Sequence, residues 1–391
     1  MKILLVSNSV AGGAGKACYR VLNALLAEGK EVKFLYLQGG SSEGNEHLIP
    51  FYNNVRDLFL KQLLNVPLLK WRQAFMGTRG TNYRLPYSFH KLEDHPLVKW
   101  ADVINVHWVP DFLDYVSFFR KVNKPVIWTM HDMLPFSGGY HFPTENKVSK
   151  PQIEEKIKQI KQSAVKGKNL NIVAPSRWLL EVSKQEKTFE GLPHTHIYNP
   201  ILTSQFKPLD KSFAREALSL PKDGKIIVFS AVSLNAPRKG MKVLLEALQM
   251  LDEQNVVLVS IGKGKVNEEL KVPYYHLGLM KDEYSIVLLY SAADVSIIPS
   301  KEENSPNTIV ESLACGCPSI GFNIGGIPEI ISSKDYGEVI QNYNADELAA
   351  GIRTVLKGEY DREKIHDYIH SEFNYSLIAK RYYSLFEKAI G

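Results

Sequence analysis

The amino-acid sequence predicts an α/β protein built from two Rossmann-like units. The chain has 391 residues, which is enough for two domains of ordinary size. Hydrophobic residues make up 45% and charged residues 23%, values that argue against a disordered chain, a collagen or a coiled coil. Short apolar runs rich in β-branched residues alternate with helical patterns. The alternation stops at a turn-rich link and then starts again, which predicts two doubly wound units.

The first half of the chain contains the predicted strands of a parallel sheet that is covered by helices on both faces. The strands are expected at Lys2–Val6, Val32–Leu37, Val103–Val106, Val126–Met130 and Ile172–Ala174. The helices between them are expected near residues 14–28, 56–75, 111–122 and 151–167.

The second half repeats this pattern after a link that runs from Tyr198 to Pro208. Its strands are expected at Ile226–Ser230, Val256–Ile261, Tyr274–Leu277, Val295–Pro299 and Ser319–Phe322. Its helices are expected near residues 239–250, 283–292, 305–315 and 345–357. We therefore predict one domain at 1–200 and another at 201–374, with the amphipathic tail 375–391 packing back on the first. Two such domains facing each other would form a deep cleft at the carboxyl ends of their strands.

The net charge is divided unevenly between the two halves. Residues 1–200 hold 26 Lys and Arg against 17 Asp and Glu, and residues 201–391 hold 21 against 25. A basic half indicates an anionic partner. Nucleic acid is not expected, since the sequence contains no nucleic-acid recognition motif.

Cysteine usage and hydropathy predict a cytoplasmic protein. Cys18, Cys315 and Cys317 are too few for a disulfide scaffold, and no second Cys/His pair accompanies them to bind zinc. No apolar run approaches ~18 residues, so no membrane span is expected. The apolar start of the chain is also too short for a signal peptide and fits a first strand.

Residues 56–91 form a basic segment with interleaved apolar side chains. It holds seven Lys or Arg residues against a single acid, Asp57. We expect this segment to lie on an anionic membrane surface, through Lys61, Lys70, Trp71 and Arg72. A core-packed helix with a solvated basic face is the alternative.

Three loops that follow predicted strands carry candidate binding residues for an anion. Gly12 and Gly13 precede a helix, although the surrounding sequence fits neither the dinucleotide nor the P-loop pattern. Arg238 and Lys239 lie where a strand meets a helix, and such cations suit a diphosphate. In the third loop Ser305 is expected to be the N-cap and Pro306 the first helical residue. Taken singly, each loop also fits a tight turn or a solvated surface.

The third loop and its helix also carry two acids, and the first half offers two strand-end histidines. Glu303 precedes the helix and Glu311 lies within it, and both could flank a sugar whose phosphate sits at the helix N-terminus. His107 and His131 follow neighbouring strands, and a histidine at a strand end can orient a hydroxyl or share a proton.

Together these segments resemble the retaining glycosyltransferases of family 4, which have the GT-B architecture of two facing Rossmann-like domains. The resemblance covers nearly the whole chain. It rests on the Gly12-Gly13 loop, the TMHD segment at 129–132, the PRKG turn at 237–240 and the E-x7-E motif of Glu303 and Glu311. The stretch WTMHDMLPFSGGYHF looks like the branch that builds bacterial capsule, colanic-acid-type and O-antigen polysaccharides.

The resemblance implies transfer of a sugar, with retention, from a nucleoside-diphosphate sugar to a glycan on a polyprenyl diphosphate at the inner face of the plasma membrane. His131, Glu303 and Lys239 would be the catalytic residues, and no cofactor or metal is expected. The other donor contacts would be Gly12, Gly13, Arg238, Gly262, Asn307, Thr308 and Glu311. The acceptor contacts would be His107, Asp132 and His141. Ser233 is a departure, because many relatives have an Arg at this position to grip the diphosphate.

Two other classes of function fit the same residues. A nucleotide-sugar epimerase or phosphorylase would share the nucleotide site. A non-catalytic nucleotide-sugar-binding assembly protein would need no convergence of Glu303, Lys239 and His131.

Overall fold

The computed structural model describes residues 1–38, 45–52, 83–143, 151–251, 255–266, 270–280 and 282–391, together with positions 67, 70 and 74. The chain divides into two compact units. The first unit consists of Met1–Tyr198 and Tyr375–Gly391, and the second of Asn199–Asn374. Each unit is a parallel sheet with helices between its strands, so the predicted α/β class with two Rossmann-like units is confirmed.

The first unit is built on a parallel sheet in the order β3-β2-β1-β4-β5-β6-β7. These strands are β1 Lys2–Ser9, β2 Glu31–Gln38, β3 Leu48–Pro50, β4 Val103–Val106, β5 Val126–Thr129, β6 Leu170–Ala174 and β7 His194–His196. Its helices before the link are α1 Gly12–Ala27, α2 Pro96–Trp100, α3 Tyr115–Lys121, α4 Pro151–Val165 and α5 Arg177–Lys184.

The second unit is built on a parallel sheet in the order β10-β9-β8-β11-β12-β13. These strands are β8 Lys225–Ser233, β9 Val256–Lys263, β10 Tyr274–His276, β11 Val295–Ile298, β12 Ser319–Phe322 and β13 Gly337–Ile340. Its helices are α6 Lys211–Ala217, α7 Met241–Gln249, α8 Glu283–Ala292, α9 Asn307–Ala314, α10 Ile327–Ile330, α11 Ala345–Lys357 and α12 Arg362–Phe373.

The last helix, α13 Tyr375–Ile390, returns to the first unit and packs on α1. Tyr382 and Phe386 on its apolar face are fully buried. The Asn169 side-chain amide donates to the Ala389 carbonyl at 2.9 Å, and the Lys30 ammonium lies 3.8 Å from the centre of the Tyr383 ring. These contacts make α13 an integral part of the first unit.

Several predicted boundaries are wrong, and local geometry explains the differences. The helix expected at 111–122 begins at Tyr115, because the Asp114 side chain accepts from the Ser117 amide and caps it there. The helix expected at 239–250 begins at Met241, since Gly240 before it has a left-handed φ of 74°. Strand β1 continues three residues beyond its predicted end, to Ser9. The helix expected at 56–75 lies outside the described residues.

Each sheet has one topological switch point, where chain connections leave in opposite directions. In the first sheet it lies between β1 and β4, and in the second between β8 and β11. Open parallel sheets bind ligands beyond the carboxyl ends of the strands at such points. The loops after these four strands are therefore where a site is expected in each unit.

Candidate functional site

The switch point of the second unit joins a lysine and a glutamate from two different loops. Lys239 ends a short 3₁₀ turn, Pro237–Lys239, after β8, and its ammonium forms an ion pair with the Glu303 carboxylate in the loop after β11. The Arg238 guanidinium lies 4.0 Å from the same carboxylate, and the Ser300 hydroxyl donates to it at 2.8 Å. The structure therefore brings three predicted site residues together.

The cations control the charge of Glu303. This residue is only 8% exposed, and burial raises the pKa of its carboxyl group. The positive charges of Lys239 and Arg238, together with the hydrogen bonds from Lys239 and Ser300, outweigh burial and hold that pKa below its ordinary value. Glu303 is therefore ionised at neutral pH and acts only as a hydrogen-bond acceptor.

Two glycines allow the loops around Glu303 to interlock. Gly240 approaches β11 so closely that a Cβ would overlap the Pro299 carbonyl oxygen. Gly325, with a φ of 55°, leaves no room for a Cβ beside the Glu303 carbonyl. Two backbone hydrogen bonds complete the framework. The Lys301 amide donates to the Arg238 carbonyl at 2.8 Å, and the Gly326 amide donates to the Asn304 carbonyl at 2.8 Å.

Helix α9 begins later than the sequence predicts. Its first residue is Asn307, and Pro306 stays extended with a ψ of 114°, so Ser305 is not the N-cap and Pro306 is not helical. The Ser305 hydroxyl is a buried atom without a hydrogen-bond partner among the described residues. Asn307 and Thr308 still open the first turn, where the helix dipole favours an anion, and Glu311 lies buried one turn later.

Gly262 and Ser233 lie at the carboxyl ends of the adjacent strands β9 and β8. Gly262 has a φ of 139°, and a Cβ there would overlap the Ala231 carbonyl oxygen, so glycine is required by strand packing. Ser233 is an exposed end residue of β8 that pairs with Lys263 across a local irregularity. A donor contact at Gly262 stays a prediction.

The switch point of the first unit carries the predicted glycine loop. Gly12 has a left-handed φ of 75° and begins α1, and Gly13 beside it is exposed. Gly15 was not singled out by the sequence reasoning, although a Cβ there would overlap the Ser9 carbonyl oxygen. The tight strand–helix turn therefore depends on glycines at both 12 and 15.

Next to this loop the two predicted histidines are in contact. His107 follows β4 and His131 follows β5, and His107 Nδ1 lies 3.0 Å from His131 Nε2. His107 Nε2 lies 3.0 Å from the Asn105 side-chain oxygen. Burial lowers the pKa of both histidines, that of His131 to about 4 despite the opposing charge of Asp132. Both rings are therefore neutral at pH 7.

Asp132 is hydrogen-bonded to a second group of side chains, which includes a residue predicted to contact the acceptor substrate. Its carboxylate accepts from the Trp108 indole at 3.1 Å and lies 2.6 Å from His141 Nδ1. The Leu134 amide donates to its other oxygen at 2.9 Å. Burial raises the pKa of Asp132, but the charge of His141 and the hydrogen bonds from His141 and the Leu134 amide outweigh burial, so the net shift of this pKa is downward.

His107, His131 and Asp132 line one pocket of the first unit, and a buried lysine in its wall was missed. Lys161 is 1% exposed, and its ammonium donates to the carbonyls of Leu134 at 2.5 Å and Ser137 at 2.8 Å. Burial lowers its pKa to about 7. The signal was present in the sequence, because Lys161 occupies the apolar register of α4 between Ile157 and Val165.

Arg84 and Asp111 line this pocket as well, and the sequence reasoning gave them no role at a site. Their side chains pair at 2.8 Å, and Asp111 has an unusual φ of 58° for a non-glycine residue. Arg84 was counted among the cations of the basic segment, but here it holds a carboxylate of its own unit.

The predicted membrane contacts fall largely outside the described residues. Lys61, Trp71 and Arg72 are in this class, whereas Lys70 is described and exposed. Within the described parts of the chain, no helix has the length and apolar character needed to cross a bilayer. The same parts contain no group of three His, Cys, Asp or Glu side chains placed to hold a metal ion.

Comparison with known proteins identifies the second unit. Residues 210–371 match the family described as Glycosyl transferases group 1, so this unit contains a glycosyl transferases group 1 domain. The chain is 24% identical over 284 residues to D-inositol 3-phosphate glycosyltransferase of Jonesia denitrificans, covering 68% of this chain and 66% of that protein. It is 27% identical over 265 residues to spore coat protein SA of Bacillus subtilis, and this match covers 62% of this chain and 69% of that protein. For several other curated relatives the match spans less than half of the relative's length.

Solved structures support the fold over the whole chain. The match to Anabaena HepE in complex with UDP covers 99% of this chain and 100% of the HepE chain, with a TM-score of 0.68 and 17% identity. Sucrose-phosphate synthase from Thermosynechococcus elongatus covers 99% and 98%, with a TM-score of 0.67 and 17% identity. The predicted resemblance thus holds for the glycosyltransferase group and for the fold, and the capsule branch stays a prediction.

Proposed function

We propose that the chain is a retaining glycosyltransferase that uses a nucleoside-diphosphate sugar as its donor and acts without a metal ion. The observation that supports this most directly is the meeting of Lys239, Arg238 and Glu303 at the β8/β11 switch point of the group 1 domain. The glycosyltransferase relatives support the same class of reaction. The epimerase, phosphorylase and non-catalytic alternatives share the nucleotide site but have no acceptor sugar.

Each group has a defined task in this proposal. Negative charge grows on the departing nucleoside diphosphate, and Lys239, Arg238 and the first-turn amides of α9 stabilise it in a fixed arrangement. An ammonium has three N–H donors, so Lys239 can hold Glu303 and a diphosphate oxygen together. The ionised Glu303 accepts from donor-sugar hydroxyls, Glu311 from the ribose, and His131 lies beside the reacting sugar. Gly12, Gly13 and Gly262 complete the proposed donor contacts.

Donor binding is the first experiment. Titration calorimetry with UDP, UDP-glucose and GDP compares the wild type with Lys239→Met and with Lys242→Met, a control on α7 whose side chain is 91% exposed. UDP-glucose comes first because HepE was solved in complex with it. We expect Lys239→Met to weaken binding of the preferred nucleotide roughly tenfold or more. Lys242→Met should leave it unchanged, and equal binding by both variants would contradict the site.

Transfer is the second experiment. Glu303→Ala and Lys239→Ala should each lower kcat/KM by roughly 10²-fold or more, the scale of one lost preorganised charge partner. Proton NMR of the product reads the anomeric configuration, which we expect to match the donor. Activity should persist after exhaustive treatment with EDTA. Turnover of a donor without any acceptor sugar would favour the epimerase or phosphorylase.

We further propose that the acceptor is a glycan on a polyprenyl diphosphate at the inner membrane surface, in synthesis of a bacterial surface polysaccharide. The excess of cations in residues 1–200 and the group of His107, Asp132 and His141 support this choice. Flotation of the intact protein at low salt with vesicles rich in phosphatidylglycerol tests it. Binding to these vesicles but not to phosphatidylcholine is expected, and no binding to either would contradict the membrane role.

A further inference from the structure

We propose that Asn105 and His107 form a buried relay that fixes the tautomer of His131, with the proton on Nε2 and the lone pair on Nδ1. The relay is a property of the first unit alone. Its importance for catalysis rests on the proposed function, which puts His131 beside the reacting sugar.

The relay starts from an asparagine whose amide orientation is determined by its neighbours. Asn105 is fully buried, and its side-chain nitrogen donates to the Ile127 carbonyl at 3.1 Å and to the Thr129 hydroxyl at 2.9 Å. A backbone carbonyl can only accept, so the nitrogen of the amide must face Ile127. The side-chain oxygen of Asn105 therefore faces His107.

The asparagine oxygen in turn sets the tautomer of His107. His107 Nε2 lies 3.0 Å from this oxygen, which can only accept, so Nε2 must carry the proton. His107 is 1% exposed and in contact with a second imidazole, and burial lowers its pKa. The ring is therefore neutral, and its Nδ1 is an acceptor.

His131 is the next member of the chain. Its Nε2 lies 3.0 Å from His107 Nδ1, so this nitrogen of His131 must carry the donating proton. In a neutral ring the lone pair then belongs to Nδ1. A hydroxyl that approaches Nδ1 meets an acceptor, whereas the opposite tautomer would offer it a donor.

The beginning of the relay is attached to the last helix of the chain. The Thr129 hydroxyl, which accepts from Asn105, lies 3.2 Å from the Tyr382 hydroxyl on α13, and both residues are fully buried. This contact secures the threonine. The amide orientation of Asn105 depends on the Ile127 carbonyl and does not need Tyr382.

The test is nitrogen NMR of the full-length protein labelled with ¹⁵N-histidine, without substrate, at pH 7.5. Long-range proton–nitrogen correlations distinguish the two neutral tautomers and the cation of each ring, and loss of one set of signals in His131→Gln assigns that residue. We expect His131 of the wild type to be protonated at Nε2 and unprotonated at Nδ1. A proton on Nδ1, in a neutral or a charged ring, would overturn the proposal whatever the variants do.

Two variants separate the relay from general loosening of the core. Asn105→Leu removes the acceptor at His107 Nε2, so we expect the His131 signals to move toward a mixture of tautomers. Tyr382→Phe removes a hydroxyl from the same buried network and should leave the signals as in the wild type. An unchanged spectrum in folded Asn105→Leu would overturn the relay. Because no substrate is present, a correct tautomer in a protein that transfers no sugar would count against the proposed function only.

Discussion

Lys239→Met provides a direct test of the electrostatics that we assign to the second unit. The Lys239 side chain is 26% exposed and that of Glu303 is 10% exposed, so the substitution leaves a largely buried carboxylate without its main partner. Breaking a buried ion pair from one side typically costs about 3–5 kcal/mol. Arg238 at 4.0 Å and the Ser300 hydroxyl remain beside Glu303, and Lys239 is partly solvated. We therefore expect a loss of about 2–3 kcal/mol in the free energy of unfolding.

Hydrogen exchange measured by mass spectrometry is the assay, because it reports on the second unit separately from the first. Peptides from β8 and β11 should exchange faster in Lys239→Met, by the factor that corresponds to the expected loss in the free energy of unfolding. Lys364→Met is the matched control, since Lys364 pairs with Asp335 at 2.8 Å but both side chains are more than half exposed. The double variant Lys239→Met/Glu303→Gln removes both charges and should recover much of the loss.

Two results would refute this reasoning. One is equal protection in Lys239→Met and Lys364→Met, which would mean that Glu303 is effectively solvated. The other is a double variant no more protected than Lys239→Met, which would mean that packing of the lysine stem, and not the orphaned carboxylate, accounts for the loss.

Three further predictions concern single residues. Gly325→Ala should weaken UDP binding measured by calorimetry, because a Cβ would overlap the Glu303 carbonyl and displace that loop; unchanged binding would contradict the interlocked framework. Ser305→Ala should leave the melting temperature unchanged or higher, since it deletes a buried hydroxyl that has no partner in the described structure; a clear decrease would contradict this prediction. Lys161 has a pKa of about 7 in the fold against 10.5 as the ordinary value, so folding releases a proton between these values. The free energy of unfolding should rise with pH over that window by up to about 1.4 kcal/mol per unit, and Lys161→Met should abolish the rise. Urea unfolding followed by tryptophan fluorescence measures the free energy of unfolding of the first unit, because all five tryptophans lie within residues 1–198. Parallel pH profiles of the wild type and Lys161→Met would contradict the prediction.

The strands of the two sheets were largely predictable because most of them are buried on both faces. Val103–Val106 and Ser319–Phe322 have the predicted bounds, and every residue in both strands is buried. The strand His194–His196 was missed because it lies at a sheet edge and contains no apolar residue. Leu48–Pro50 was missed for a related reason, being a three-residue edge strand that ends in proline.

The sequence also indicated which residues would meet at each site, but not how their protons are arranged. His107 and His131 follow adjacent parallel strands, so their proximity was predictable from strand order. The register of α4 signalled the burial of Lys161, but the hydrogen-bond partners of Asn105 and Lys161 were not predictable, because each depends on a carbonyl supplied by a distant segment. The N-cap at Ser305 was predicted wrongly, since the preference of serine for caps is local and the loop geometry at Pro306 overrides it.

The return of α13 to the first unit affects when each unit can complete its fold as the chain is made. The second unit is one continuous stretch, Asn199–Asn374, whereas the first is interrupted and lacks Tyr382 until residues 375–391 have left the ribosome. Until then the face of α1 that packs against α13 stays uncovered, so the first unit cannot complete its core, whereas the second unit has all of its residues in one stretch.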